Sequence, residues 1–287
     1  STIVDNNVGI NSSATNGIPD IVNCIVYNNS QNVGGTMNVS YSLIGGGFNG
    51  TGNIDFNPLF VDSGNKDYKL SNYSPAIGSG TSSVAPSMDI NGVARPTPSG
   101  SNPDLGAFEN SLSALIDPPT PINLVATAGN SSVSLVWEKN GFNGISIIQR
   151  SEQSGEGFET IGSDSSGNSF TNNVSPFIPV NGTTYYYRIG FSNGFVTTYS
   201  EEAVAKPRND IYYVALDGTG EFGTIQDAID AALPKDTIIV KPGTYNENLQ
   251  INSKNIVLGS QFFNNGDTSY ISSTIVSGNF GTGPCIS

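Results

Sequence analysis

Short bursts of β-branched and aliphatic residues recur near both ends of this chain, and Asn- and Gly-rich stretches separate them. Near the N-terminus, the bursts at 21–27 and 39–44 centre on residues 24 and 42, 18 residues apart. Near the C-terminus, bursts at 238–240, 256–258 and 274–276 follow at intervals of about twenty residues. Such a period predicts the stacked coils of a solenoid, in which each coil buries aliphatic side chains against the next.

Composition favours an all-β chain. The 287 residues include 34 Gly and 16 Pro, and only 12% are charged, which favours short strands and turns over helices. The length leaves room for two or three domains. The formal net charge of −13 argues against a nucleic-acid partner, because phosphate binding needs clustered cations, and it counts mildly against a polyanionic, pectin-type ligand. No run approaches the ~20 apolar residues of a membrane span.

Two proline-rich joints, at 117–121 and 206–210, delimit a middle segment of sandwich length. Val133, Leu135 and Trp137 alternate as a strand with one buried face should. Further strands are predicted at 145–149, 158–161, 185–191 and 199–206. The stretches PPTPINLVATAGNSSVSLVWEK and NGTTYYYRIGFSNG resemble the first two strands and the sixth strand of a fibronectin type III domain.

That resemblance covers the whole middle segment and implies roles for two aromatic residues. Trp137 would pack between the two sheets, and Tyr185 would make the corner hydrogen bond of the fold. The three consecutive tyrosines at 185–187 form either a sugar-stacking platform or a core strand. Alternation favours the core strand, with Tyr187 and Ile189 also pointing inward and Tyr186 alone outside.

A short capping α-helix is predicted after residue 223. Thr224 can cap it, and apolar residues at 225, 228, 229 and 232 share one face before Pro234 ends it. The stretches DGTGEFGTIQDAIDAA and IIVKPGTYNENLQI resemble the N-terminal opening of right-handed parallel β-helix proteins of the pectin methylesterase and pectate lyase-like superfamily. The resemblance implies architectural roles for Pro242 and Gly243, in the first turn. It carries over no catalytic residue, because the family's catalytic groups come from later coils, whose expected positions lie beyond Ser287.

The segment after residue 50 loses the regular spacing, and its motifs differ from those at the other end. They are Asn57-Pro58-Leu59-Phe60, Asp67-Tyr68-Lys69-Leu70, Ser74-Pro75-Ala76-Ile77, Asp89-Ile90-Asn91-Gly92 with Arg95-Pro96, and Asp104-Leu105-Gly106-Ala107-Phe108-Glu109. They resemble the C-terminal end of bacterial surface β-helix proteins of the choice-of-anchor Q type. The first hundred residues thus resemble the end of a solenoid and the last eighty its beginning. We expect an excerpt of a larger modular protein.

The domains predicted on this basis are 1–116, the last coils and cap of a parallel β-helix; 117–207, the fibronectin type III sandwich; and 208–287, the cap helix and first coils of a second β-helix. The two cysteines, Cys24 and Cys285, fall in different predicted domains. We expect two small buried residues, and no bridge between them can be assumed.

Three acidic residues are candidate ligands for Ca²⁺. Asp89, Asp104 and Glu109 supply carboxylate oxygens, which suit that ion. The alternative is that Arg95, the single cation among these acids, pairs with one or two of them and pins the cap. The alternative is favoured because no EF-hand spacing is present. No other cofactor is expected.

The absence of histidine from the sequence removes Ser-His-Asp and Cys-His catalysis and the usual His-containing zinc sites. No catalytic residue is predicted. One hypothesis is a scaffold or spacer, extracellular or on the bacterial cell surface, that contacts polysaccharide or cell-surface glycan. The other is part of a carbohydrate-active enzyme, of pectinesterase or polysaccharide lyase type, whose catalytic coils lie beyond Ser287.

Overall fold

A computed structural model describes residues 1–13, 17–165 and 167–278. The described residues are mostly strands with a few short helices, so the all-β expectation is confirmed. They form two compact units. One comprises the described residues within 1–126, 134–171 and 185–205, and the other those within 127–133, 172–184 and 206–287. The three-domain division stays a prediction. Cys285 lies outside the described residues.

Three parallel sheets form at the start of the chain. Each of the first four strands pairs with the strand three places later, giving the sheets β1-β4-β7, β2-β5 and β3-β6. Ile25 pairs with Leu43, an offset of 18 residues that confirms the predicted interval, whereas the preceding turn of the chain is longer. The strands are β1 Thr2–Val4, β2 Val8–Ser12, β3 Asp20–Val22, β4 Ile25–Tyr27, β5 Gln31–Gly35, β6 Asn38–Ser40 and β7 Leu43–Ile44.

Residues in the left-handed conformation turn the chain at equivalent points after the paired parallel strands. Asp5, Asn28 and Gly46 follow the paired strands β1, β4 and β7 and have φ values of 59°, 55° and 85°. Asn, Asp and Gly are the residue types that adopt this conformation at least cost. The residue types at these three positions therefore have a structural cause.

The regular strands end in an irregular cap. A hairpin of β8 (Phe60–Asp62) and β9 (Asp67–Leu70) follows, and Leu70 and Leu105 join Ile25 and Leu43 in one buried core. The cap thus shares a buried core with the parallel strands. This agrees with the predicted loss of regular spacing.

The middle segment forms two sheets, β10-β11-β14 and β13-β12-β15-β16, with β17 also paired to β15. Two predictions were inaccurate here. The short polar strand β14 was not predicted, and the single strand predicted at 199–206 is two strands, which pair with different parts of β15. The strands are β10 Ile122–Gly129, β11 Ser132–Glu138, β12 Ser146–Ser151, β13 Glu159–Asp164, β14 Ser169–Asn172, β15 Tyr185–Ser192, β16 Thr197–Tyr199 and β17 Ala203–Ala205.

Side-chain alternation in this segment follows the sequence pattern. Trp137 is fully buried and donates its indole N–H to Ser146 Oγ at 3.2 Å. Tyr185 and Tyr187 are buried, whereas Tyr186 between them is partly exposed. The run of tyrosines is therefore a core strand, and the sugar-stacking platform is excluded, since two of its three rings face inward.

Parallel pairing returns near the C-terminus, in the sheets β18-β19-β21 and β20-β22. The burst at 274–276 was expected in register with those at 238–240 and 256–258, but it pairs with 243–245 instead, because two further helical turns lie in the intervening loop. The elements are β18 Ile211–Val214, α1 Ile225–Ala231, β19 Thr237–Val240, β20 Gly243–Tyr245, β21 Val257–Ser260, α2 Phe262–Asn265, α3 Ser269–Ser273 and β22 Thr274–Val276.

The predicted capping helix is present as α1. Thr224 Oγ1 accepts from Asp227 N at 3.1 Å, and the apolar face packs on the core that contains Ile238 and Tyr245. The Tyr245 hydroxyl donates to Lys241 O at 3.0 Å, across the turn formed by Pro242 and Gly243. A side chain on Gly243 would place its Cβ 2.9 Å from Leu216 Cδ1, so the first turn leaves little room there.

An aromatic joint, defined as Phe56, Tyr73, Phe142, Phe191 and Phe195, connects the N-terminal cap to the sandwich within the first unit. Phe142 stacks on Phe191 with ring centroids 4.7 Å apart, and Phe56 meets Phe195 edge to face at 4.9 Å. Tyr73 lies 5.8 Å from Phe142. Edge-to-face and offset contacts of this kind stabilise beyond their buried area.

A polar joint, defined as Asn130, Asn181, Arg208, Asn209 and Asp236, lies within the second unit. Arg208 binds both oxygens of Asp236, at 2.7 and 2.8 Å. The Asn181 amide donates to the side-chain oxygens of Asn130 and Asn209 at 2.8 and 2.7 Å. The predicted proline-rich joint at 206–210 is therefore held by directional polar contacts.

Candidate functional site

The acidic cluster in the cap is organised around Arg95. Its Nε lies 2.7 Å from Glu109 Oε1, and both side chains are almost fully buried. Its Nη1 donates to Gly106 O at 3.1 Å. This arginine–carboxylate pair is the alternative to a calcium site that the sequence favours.

Backbone N–H groups occupy the carboxylate oxygens of the cluster. Both oxygens of Asp89 accept such bonds, at 2.8 to 3.0 Å, and so do both oxygens of Asp104, at 2.8 and 2.6 Å. Glu109 accepts from the backbone N–H groups of Asp104 and Thr97 at 2.9 and 3.1 Å. A cation bound there would compete with these donors, and within the described residues no group of three acidic or thiol side chains is placed to hold a metal. Calcium binding at the three acids stays a prediction.

Burial raises the pKa of Asp104 to about 7, and the nearby Glu109 carboxylate acts in the same direction. The two backbone donors and Arg95 oppose this shift by favouring the charged form. Asp104 is therefore a buried group in the cap whose charge changes near neutral pH.

A second site was not predicted: a cavity of about 430 Å³ in the first unit. Its walls come from three parts of the chain, namely the ends of β1 and β4, the β8–β9 hairpin, and the loop before β12 together with Ser165. The lining residues that carry aromatic, amide or carboxylate groups are Asp5, Tyr27, Asn28, Asn57, Phe60, Tyr68 and Asn143.

Hydrogen bonds hold the polar wall of this cavity. Asp5 accepts from Asn28 Nδ2 at 2.6 Å and from the Tyr68 hydroxyl at 2.8 Å. The bond to Asp5 raises the pKa of Tyr68, so this hydroxyl remains protonated at neutral pH. The Asn143 amide donates to Phe60 O and so ties the loop before β12 to the hairpin.

Phe60 and Tyr68 form an edge-to-face aromatic pair with centroids 5.3 Å apart. The wall thus combines apolar ring surface with amide and hydroxyl groups, a lining typical of small-molecule sites. Both residues belong to motifs singled out from the sequence, but no role was assigned to them. One sequence signal could have pointed to this site, because Asp5 and Asn28 follow equivalent positions of the paired strands β1 and β4. No local signal connects either of them to residue 68 or 143.

Comparisons with known proteins give partial similarities. No family model matches the sequence. A probable pectinesterase/pectinesterase inhibitor 17 from Arabidopsis thaliana is 41% identical over 75 residues, which cover 22% of this chain and 15% of that protein. The chain thus spans a small part of that relative's length.

Two solved structures are also similar in part. A Fn3-like protein from Clostridium thermocellum is 27% identical, with a TM-score of 0.26, over 32% of this chain and 95% of that one. A β-1,2-glucanase from Parabacteroides distasonis is 16% identical, with a TM-score of 0.25, over 33% of this chain and 14% of that one. Separately, none of the helices in the described residues is long and apolar enough to span a membrane.

Proposed function

We propose that this chain is a non-catalytic segment of an extracellular or cell-surface modular protein, in which a fibronectin type III sandwich is joined to parallel β-helix segments, and that it contacts polysaccharide or cell-surface glycan. The observation that carries the glycan contact is the 430 Å³ cavity lined by aromatic and amide residues. Concave sites with ring surface and a few convergent polar groups are where small ligands bind.

Strand pairing supports the proposed architecture. Each of the first four strands pairs in parallel with the strand three places later, as successive coils of a three-sided β-helix do. The sandwich has one sheet of three strands and one in which β12 and β15 are central, which suits a fibronectin type III domain. The buried Trp137 supports the same interpretation.

The partial similarity to a pectinesterase supports a carbohydrate-related, extracellular setting. No cofactor is part of the proposal, since the acids of the cap already accept backbone hydrogen bonds. No nucleic-acid partner is proposed either, in line with the net charge of −13.

A second candidate function is part of a carbohydrate-active enzyme of pectinesterase or polysaccharide lyase type, with catalysis on coils outside this chain. The 41% identity over 75 residues favours it. The two candidates differ in what the protein containing this segment does to a polysaccharide.

A polysaccharide panel tests both. Binding is measured for the 287-residue chain, and release of reducing ends, unsaturated products or methanol is measured for the chain and for a longer protein that contains it. We expect binding without turnover by the chain. Turnover by the longer protein alone would favour the second candidate, and turnover by the chain would contradict the non-catalytic proposal.

A further inference from the structure

We infer that the cavity beside β1, β4 and the β8–β9 hairpin binds a neutral sugar unit and discriminates against uronic acids. The inference rests on the proposed glycan contact and names its site and its ligand class. It begins from the size of the cavity, because about 430 Å³ lies within the range of small-ligand pockets.

The polar groups of the cavity suit a ligand made of hydroxyls. A hydroxyl both donates and accepts, so it pairs with amides, carboxylates and other hydroxyls alike. The cavity offers the amides of Asn28, Asn57 and Asn143, the Asp5 carboxylate and the Tyr68 hydroxyl. Tyr27, Phe60 and Tyr68 add aromatic surface, against which the apolar face of a pyranose ring packs.

The charge of the cavity decides between neutral and acidic sugars. Among the described residues, the lining includes Asp5 and has no Lys or Arg. A uronate carboxylate would therefore enter without a cationic partner, near a fixed negative charge, and would lose its hydration. The net charge of −13 on the whole chain acts in the same direction.

The polar wall is also pre-organised. Asn28 and Tyr68 each hold one oxygen of Asp5, and Asn28 is fixed by its left-handed backbone at the coil turn. Groups held in place before binding lose less conformational entropy when the ligand arrives. This favours recognition of the ligand by the orientation of its hydroxyl groups over recognition by its charge.

The test uses the full 287-residue chain and calorimetric titration with two sets of probes of matched length. One set contains neutral cello-, xylo-, manno- and galacto-oligosaccharides, and the other contains oligogalacturonides. We expect at least one neutral set to bind and the oligogalacturonides to bind about tenfold more weakly or not at all. Thermal unfolding of every variant establishes that it is folded.

Two deletion variants remove cavity groups. Asn28→Gly keeps the left-handed turn and deletes the amide, and Tyr68→Ala deletes ring and hydroxyl. Each should weaken neutral-sugar binding about tenfold. The matched controls are Asn140→Gly, at an exposed left-handed asparagine outside the cavity, and Tyr186→Ala, at a half-exposed tyrosine of β15, and both should bind as the parent chain does.

One addition variant tests the charge argument. Ser63 lines the cavity and is exposed, so Ser63→Lys adds a cation there and should raise affinity for oligogalacturonides relative to neutral sugars. Neutral-sugar binding that survives both deletions would overturn the cavity site and leave the proposed function standing. Equal binding of oligogalacturonides by the parent chain would overturn the ligand class. Failure of every glycan to bind would overturn the proposed function itself.

Discussion

The two joints of the sandwich differ in chemistry, although the sequence marks both alike with prolines. The aromatic joint is built from ring contacts, and the polar joint from amides and an arginine–carboxylate pair. Ring contacts depend on the removal of apolar surface from water, whereas a partly exposed ion pair depends on salt and geometry. A proline-rich stretch therefore locates a joint without determining what holds it.

The largest effect is expected from Phe142→Ala. Phe142 is 2% exposed and contacts both Phe191 and Tyr73, so its truncation leaves a cavity in the aromatic joint. We expect a loss of about 3–5 kcal/mol in the free energy of unfolding. Chemical denaturation measures it, and Phe263→Ala, at an exposed ring outside both joints, is the control. A loss no larger than that of the control would show that the aromatic joint contributes little.

The second effect is a pH dependence of the free energy of unfolding of the unit that contains the aromatic joint. Because the pKa of Asp104 is raised from 3.8 to about 7, the folded state binds more protons than the unfolded state between these values. Asp104 therefore stabilises the folded state most at low pH. This stabilisation, up to ~4 kcal/mol in the free energy of unfolding, is lost as pH rises through about 7. Asp104→Asn should remove this part of the pH dependence, measured by denaturation at pH values from about 4 to 8. An unchanged profile would contradict the raised pKa.

The third effect comes from the close contact between Gly194 and the Phe56 ring in the aromatic joint. Gly194 has φ 97°, and a Cβ there would lie 2.4 Å from the Phe56 ring. Gly194→Ala should cost about 2–3 kcal/mol from strain and clash together. Gly141 has φ 80° with open space around it, so Gly141→Ala measures the backbone strain alone. Equal losses in the two variants would mean that Phe56 moves away freely.

The smallest effect is expected in the polar joint. Arg208→Met removes the partner of the buried Asp236, but the arginine side chain is 36% exposed and water replaces part of the interaction. We expect a loss of about 1–2 kcal/mol that shrinks as salt is raised from about 0.05 to 1 M. Phe142→Ala should lack this salt dependence. If both variants depended on salt to the same extent, the two joints would not differ in the interactions that hold them.

Local features of the fold were predictable from the sequence, because each depends on residues close together in the chain. Alternation placed Trp137, Tyr185 and Tyr187 in the core, and Thr224 begins the helix that its capping chemistry indicates. The 18-residue offset between Ile25 and Leu43 repeats the spacing of the aliphatic bursts in the sequence, although the preceding turn of the chain is longer.

The remaining features depend on distance in space. The burst at 274–276 lies about one period after its neighbour, yet it pairs with 243–245, since spacing alone does not determine the sheet to which a strand belongs. The cavity joins residues 5, 68 and 143, and no periodicity relates them. Asp104 was predicted as a possible metal ligand, but its surroundings of backbone donors become visible only in the folded cap.

Three Asn–Gly pairs at or beside the two joints share a chemical liability. Asn143, Asn181 and Asn193 each hold a side-chain hydrogen bond, and each is followed by glycine. An Asn–Gly pair is prone to deamidation, because the next backbone nitrogen attacks the side-chain amide and glycine offers no steric protection. The product is an acidic residue that has lost the donating NH₂ group and adds negative charge to an already acidic chain. Deamidation of these three residues should therefore weaken contacts at the joints, and peptide mapping by mass spectrometry after storage would detect it.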